Sequence, residues 1–339
     1  MASFRSRLQP LATPMWSVRA RPLLLIALLL LCGVDAAVAQ TRAARQVRGR
    51  VLLASGSAET PMAGRWVVLH RVGRDSAAPA DSGRSDAAGR FAFRYSPFGD
   101  SSAVYFVSST YGGIAYFSEP LGRRSAPDTA ANITLFDTSS AAGPPTIASR
   151  HVIVGAGDDD GRRSVIELFV LANSGDRTLV TGRDGRPTFE VALPPGAADP
   201  EVAEGDIAAA ALSFGAGTVR VSAPFAPGTK RVSYSYNVDA GEPLVITPTA
   251  DVGLLELLVE DSLAIVTGGS LHEDAPTVVA GRGFRRFTGR DISQGSTFSV
   301  SPAGGASGIG VVAIVALGAG LVMLVVLGRS LLAPRAGAG

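Results

Sequence analysis

Between Gln40 and Ser307 the sequence never repeats its large apolar residues at the spacing that buries one face of a long helix. It breaks instead into short alternating or apolar runs bounded by Gly, Pro, Asp and Ser, the pattern of an all-β chain. In KRVSYSYNV, Val232, Tyr234, Tyr236 and Val238 share one face of a strand, and Ser233, Ser235 and Asn237 share the other. The tyrosines therefore read as core, with a sugar-stacking platform as the sharper alternative.

The segment from Asp137 to Ser149 (DTSSAAGPPTIAS) is poor in large apolar residues and holds Pro144-Pro145. It divides the chain into a first β-sandwich over 46–137, a linker over 138–149 and a second β-sandwich over 150–300. The first piece is expected to form strands at 46–53, 65–71, 89–95, 103–108 and 132–136, with the polar insert 72–84 left as a loop. Expected strands in the second are 151–154, 164–173, 187–193, 217–222, 230–238, 243–248, 254–260 and 264–267. Asp206 to Leu212, short and alanine-rich, is the single helical candidate.

The two ends have a different character. Arg5, Arg7, Arg19 and Arg21, the run Leu23 to Leu31, and Ala37-Val38-Ala39 form the three parts of a secretory signal peptide over 1–39. Cys32 follows a large leucine, a poor setting for lipidation. Gly308 to Gly328 holds 21 residues without a charge, and at about 1.5 Å per residue a helix of that length covers the ~30 Å core of a bilayer. Arg329 and Arg335 follow, so the tail 329–339 is expected on the cytoplasmic side and the bulk of the chain outside, as a single-pass protein of the cell membrane. Gly304-Gly305 before the apolar run also leaves room for a processed sorting signal.

Without those ends, 25 basic and 28 acidic residues remain, a balance that argues against nucleic acid. Cys32 is the only cysteine, so an exported chain lacking its leader has no disulfide, thiolate metal site or cysteine nucleophile. Lys230 is the only lysine, and the excess of Arg, Ala and Gly points to a GC-rich bacterial coding bias.

Three turn signals occur in order in the first piece. Gly49-Arg50-Val51 is followed by Pro61-Met62-Ala63-Gly64 leading into Val67-Val68-Leu69, and then by Asp86-Ala87-Ala88-Gly89-Arg90-Phe91. This arrangement resembles the carboxypeptidase regulatory-like, transthyretin-like β-sandwich family over roughly 46–137. The resemblance implies an accessory fold with no catalytic residue. Asp86 caps a tight turn, Gly89 supplies a backbone angle other residues resist, and Phe91 and Phe93 point into the core. The second piece, with Asn173-Ser174-Gly175-Asp176-Arg177-Thr178 and Leu193-Pro194-Pro195-Gly196-Ala197, resembles the envelope β-sandwich that often follows such a domain in membrane-anchored bacterial proteins.

Residues that could carry chemistry are scarce. His70, His151 and His272 sit in no zinc-binding motif, and neither Gly-x-Ser-x-Gly nor Ser-x-x-Lys occurs. The run GAGDDDGRR sets Asp158, Asp159 and Asp160 side by side, but Arg163 and Phe169 stand where an EF-hand loop needs glycine and glutamate. It reads as a hairpin tip, with a looser calcium site through Asp158 and Asp160 as the alternative. Arg282, Arg285, Arg286 and Arg290 form the densest basic cluster, read as a solvated loop or a contact surface for lipid or a partner.

These observations point to a non-enzymatic, membrane-anchored envelope protein that uses no cofactor and binds another protein or supports an envelope assembly. A carbohydrate or cell-wall module using Trp66, Tyr111 and Tyr116 is the alternative. A hydrolase would require two buried carboxylates in one cleft.

Overall fold

The computed structural model describes residues 44–122, 130–268 and 270–302. The leader 1–39, the apolar run 308–328 and the tail 329–339 lie outside the described residues, and among those described no helix is long and apolar enough to cross a membrane. The described chain is all-β apart from one turn of 3-10 helix at Ala209–Ala211.

The N-terminal part comprises β1 (Arg45–Ser55), β2 (Ala58–Pro61), β3 (Trp66–Val72), β4 (Ala77–Arg84), β5 (Arg90–Tyr95), β6 (Val104–Tyr111), β7 (Ile114–Phe117) and β8 (Ile133–Phe136). One sheet runs β2-β1-β5, with β8 parallel to β1, and the other runs β4-β3-β6-β7. Their facing sides form one core from Val47, Val51, Phe91 and Phe93 on the first sheet and Val67, Leu69 and Val107 on the second. Each buried side chain of this size contributes about 1.5–3 kcal/mol relative to exposure.

The glycine signals have direct physical causes. A Cβ on Gly49 would lie 2.1 Å from the Ala131 carbonyl oxygen, so only glycine lets β1 approach the chain entering β8. Gly89 has φ +71°, and Asp86 Oδ1 accepts from the Ala88 and Arg90 amides at 2.8 Å each, which closes the hairpin into β5. The insert expected as a loop is in fact the edge strand β4, paired along β3. Arg71, only 2% exposed, fixes the turn between them. It donates to both oxygens of Asp75 at 2.8 and 2.9 Å and to the Phe98 carbonyl at 3.0 Å, and its guanidinium lies 4.5 Å from the Phe98 ring centroid.

β9 (Thr138–Ser139) leads into the C-terminal part, made of β10 (Thr146–Val154), β11 (Arg162–Asn173), β12 (Thr178–Leu179), β13 (Phe189–Ala192), β14 (Ala198–Val202), β15 (Leu212–Gly215), β16 (Thr218–Val221), β17 (Gly228–Asp239), β18 (Leu244–Ile246), β19 (Val252–Val259), β20 (Ile265–Thr267), β21 (His272–Val279), β22 (Arg282–Ile292) and β23 (Phe298–Ser301). A seven-stranded sheet, β14-β17-β11-β10-β19-β22-β21, carries two three-stranded sheets, β13-β16-β15 and β18-β23-β20. They share the largest core, which includes Val152, Phe169, Tyr234 and Tyr236 from the large sheet with Val219 and Phe298 from the small ones. A second cluster of Ile153, Ile166, Leu168 and Leu258, closed by Val279 and Phe284, buries part of the large sheet's opposite face.

Two boundaries differ from the sequence reading. The segment read as linker contains β9 and the first residues of β10, because Thr146 and Ile147 already pair with β11. The helical candidate 206–212 is a single 3-10 turn running into β15, since four alanines are too few to nucleate a helix.

The two cores meet at a small, specific joint. β9 pairs in parallel with β12, and the Tyr116 hydroxyl lies 2.7 Å from Thr178 Oγ1 while also donating to the Phe136 carbonyl at 3.0 Å. The Tyr111 hydroxyl donates to Asp137 Oδ1 at 2.9 Å.

Candidate functional site

The outer face of β4-β3-β6-β7 carries a group of aromatic side chains, of which Trp66 and Phe117 are exposed. On β3 the outward positions are Trp66, Val68, His70 and Val72; β6 contributes Phe106, and β7 contributes Phe117. Trp66 is 52% exposed and Phe117 58%. His70 faces Phe106 in the β3–β6 register and stacks on it at 5.1 Å, while Phe117 meets Phe106 edge-on at 5.7 Å. Arg84 extends over the Trp66 ring at 5.5 Å.

His70 Nε2 lies 2.7 Å from the Ser108 hydroxyl, and burial holds its pKa below the ordinary histidine value. The ring is therefore neutral at pH 7, so the centre of the patch carries no charge. The arrangement positions flat, rigid surface for contact, and Ser108, buried at 8% exposure, serves His70 as a hydrogen-bond partner beneath it.

The residues singled out from sequence are scattered. Asp158 Oδ1 accepts from the amides of Asp160 at 3.1 Å and Arg162 at 2.8 Å, so its carboxylate closes the turn that joins β10 to β11. Among the described residues no three His, Cys, Asp or Glu side chains converge as a metal site. The arginine cluster is on strand β22 rather than in a loop. Arg282 pairs with Glu260, Arg285 with Glu273 at 2.8 Å and Arg286 with Glu256 at 2.6 Å, which leaves Arg290 as the member outside an ion pair among the described residues. Phe284 and Phe287 point to opposite faces of the sheet and each enters a core.

Of the three aromatics weighed for sugar stacking, Trp66 alone is open. Tyr116 is 6% exposed and Tyr111 half-buried, and both hydroxyls serve the joint. Tyr234 and Tyr236 are fully buried, as their alternation required.

One polar group in the main core had no sequence signal strong enough to find it. Arg150 on β10 and Glu167 on β11 pair at 2.6 Å, with 2% and 0% of their side chains exposed. Tyr236 donates to the other oxygen of Glu167 at 2.8 Å, and the Phe169 ring lies 5.0 Å beneath the Arg150 guanidinium. Burial, reinforced by the negative charge of Glu167, pushes the Tyr234 and Tyr236 hydroxyl pKa values well above the tyrosine range. Sealed from solvent, this network is a structural element. Outside it, His151 Nδ1 contacts Glu256 Oε2 at 2.7 Å on the opposite face of the large sheet.

No family model matches the sequence, and no curated protein matches it. Solved structures that align include the shaft pilin SpaA from Lactobacillus rhamnosus GG, at 13% identity over 78% of this chain and 100% of that one with a TM-score of 0.21. BcpA, the major pilin subunit of Bacillus cereus, aligns at 14% identity over 77% and 85% of the two chains, with a TM-score of 0.17. Invasin, a bacterial integrin-binding protein, aligns at 13% identity over 77% and 54%, with a TM-score of 0.14. Superposition this poor carries neither a family nor a function to the present chain.

Proposed function

We propose that this chain is a non-enzymatic envelope protein, two tandem β-sandwiches tethered to the cell membrane through its apolar C-terminal segment, which binds another protein through the outer face of β3, β6 and β7. The outer-face cluster of half-buried His70 and Phe106 with exposed Phe117, together with exposed Trp66 on the same face, carries this reading. Contiguous exposed aromatics mark interaction sites, and Trp with Arg dominates protein-binding energetics. The regulatory-like resemblance of the first unit accords with an accessory, non-catalytic role.

The topology supports display of that face. β10 starts beside the joint, and its nine residues span about 30 Å toward Val154. The chain leaves the described fold at that far end, where Arg163 Nη2 donates to the Val300 carbonyl at 3.1 Å. A membrane tether following Ser301 thus leaves the aromatic unit at the distal end.

The test is a comparison of full-length chain with Trp66→Ala and Phe117→Ala in intact cells, following one crosslinked envelope partner. Loss of that adduct in both variants, with the chain still surface-accessible to protease, is the expected result. Unchanged crosslinking in both variants contradicts the reading.

A further inference from the structure

The opposite face of the first unit carries a second, chemically different surface. An open groove of about 810 Å³ lies on the outer side of β1 and β5, lined by Arg48, Arg50, Arg84 and Arg90 together with Glu59 and Asn132. Asp86 also borders it, so the lining holds four arginines against two carboxylates, with Arg84 at the edge shared with Trp66.

The placement of these arginines runs against sheet stability. Arg50 and Arg90 are direct cross-strand partners in the β1–β5 register, and like charges directly opposite destabilise a sheet. Asp86 offsets only one of them: it lies 3.3 Å from Arg90 Nε, and its Oδ1 is already engaged by two backbone amides. Arg48 donates to Gln46 at 2.8 Å, and Arg84 to the Gly64 carbonyl at 2.9 Å. Among the described residues, the Arg50 guanidinium has no partner. The Asn132 carbonyl oxygen accepts from the Arg50 amide at 3.0 Å, which turns the side-chain amide nitrogen of Asn132 free to donate.

We infer that this groove binds an anionic glycan, a polysaccharide bearing carboxylates that the guanidinium forks grip while its hydroxyls meet Asn132. Charge complementarity fixes the sign of the ligand. The groove lacks an exposed large apolar side chain, the anchor on which protein partners depend, so an acidic protein segment fits it poorly. A bilayer at the chain-exit end is separated from it by the length of the second unit, which removes lipid headgroups. This site meets the aromatic face only at Arg84, whose guanidinium lies over the Trp66 ring.

The test measures binding of the purified chain to a hexameric oligogalacturonate by calorimetry, beside neutral maltohexaose, a hexaglutamate peptide and phosphatidylglycerol vesicles. The hexauronate is expected to bind, with affinity falling as salt rises, and the other three to bind at least about tenfold more weakly. Arg50→Thr weakens hexauronate binding about tenfold or more, while Arg94→Thr, the same charge change on the same sheet outside the groove, leaves it within about twofold. Arg50→Thr should melt no lower than the parent, because a like-charge pair is removed. If it melts lower, Arg48→Gln/Arg50→Gln, which keeps side-chain length, must show the same loss. No hexauronate binding, equal binding by the arginine variants, or tighter binding to hexaglutamate or vesicles overturns the assignment.

Discussion

Tyr116 and Thr178, 62 residues apart in sequence, place their hydroxyl oxygens 2.7 Å from one another in the buried seam between the two cores. Tyr116 belongs to β7 of the first unit and Thr178 to β12 of the second, so this contact couples the two. Tyr116→Phe removes it and the bond to the Phe136 carbonyl, at a cost of about 1 kcal/mol per bond. In calorimetry the variant should unfold in two resolved transitions where the parent shows closer ones. A single unshifted transition would show the joint to be energetically silent.

The buried pair of Arg150 and Glu167 makes a sharper demand on the second core. Glu167→Gln leaves an arginine charge without its counterion in a dry interior, which costs about 3–5 kcal/mol. Arg150→Met/Glu167→Leu removes both charges and should regain part of that loss, because apolar groups of similar volume replace the pair while the Tyr236 hydroxyl loses its acceptor. Urea titration distinguishes the outcomes: a double variant as unstable as the single one contradicts this account.

Gly49→Ala tests the close approach of β1 to the chain entering β8. Its methyl group would fall on the Ala131 carbonyl oxygen, so the strands must separate, with a loss of about 1–3 kcal/mol or more. Gly113→Ala, where no atom lies within 4 Å of the new Cβ, is a poor control because φ is +80° there. Gly143→Ala, open and without that constraint, should be near neutral by the same urea measurement.

Asp100 governs the acid response of the loop between β5 and β6. Hydrogen bonds from the Arg74 amide, then from the Ser102 hydroxyl and amide, lower its pKa to about 2. A carboxylate with a depressed pKa contributes stability that is fully present above its unfolded value, near 3.8, and is lost as pH falls toward 2. The protection of this loop's amides, corrected for the intrinsic pH dependence of exchange, should therefore hold steady down to about pH 4 and fall below it. Asp100→Asn should flatten that acid limb, whereas an unchanged limb would assign the response to other carboxylates.

Strands buried on one face were legible because their pattern alternates: Val47, Val51, Phe91, Phe93, Tyr234 and Tyr236 all occupy core positions set by period two. Edge strands were not. β4, β14 and β21 each border a sheet, contain Pro79, Pro200 or Pro276, and present mostly small or charged residues, so they resemble loops in composition. β22 was hidden for another reason. Phe284 and Phe287 serve different cores, and the arginines between them pair with Glu256 and Glu273 from other strands. The aromatic face has no linear motif, because His70, Phe106 and Phe117 come together only when β3, β6 and β7 pair.

The central claim is that this face meets a protein partner at the distal end of a tethered chain. A photocrosslinking amino acid placed at Phe117 tests it most directly in intact cells, beside the same probe at exposed Ala92 on the opposite face. The account predicts one discrete adduct with an envelope protein from position 117, absent from position 92 and abolished by Trp66→Ala. Absence of an adduct at 117, or the same adduct from both positions, would contradict it.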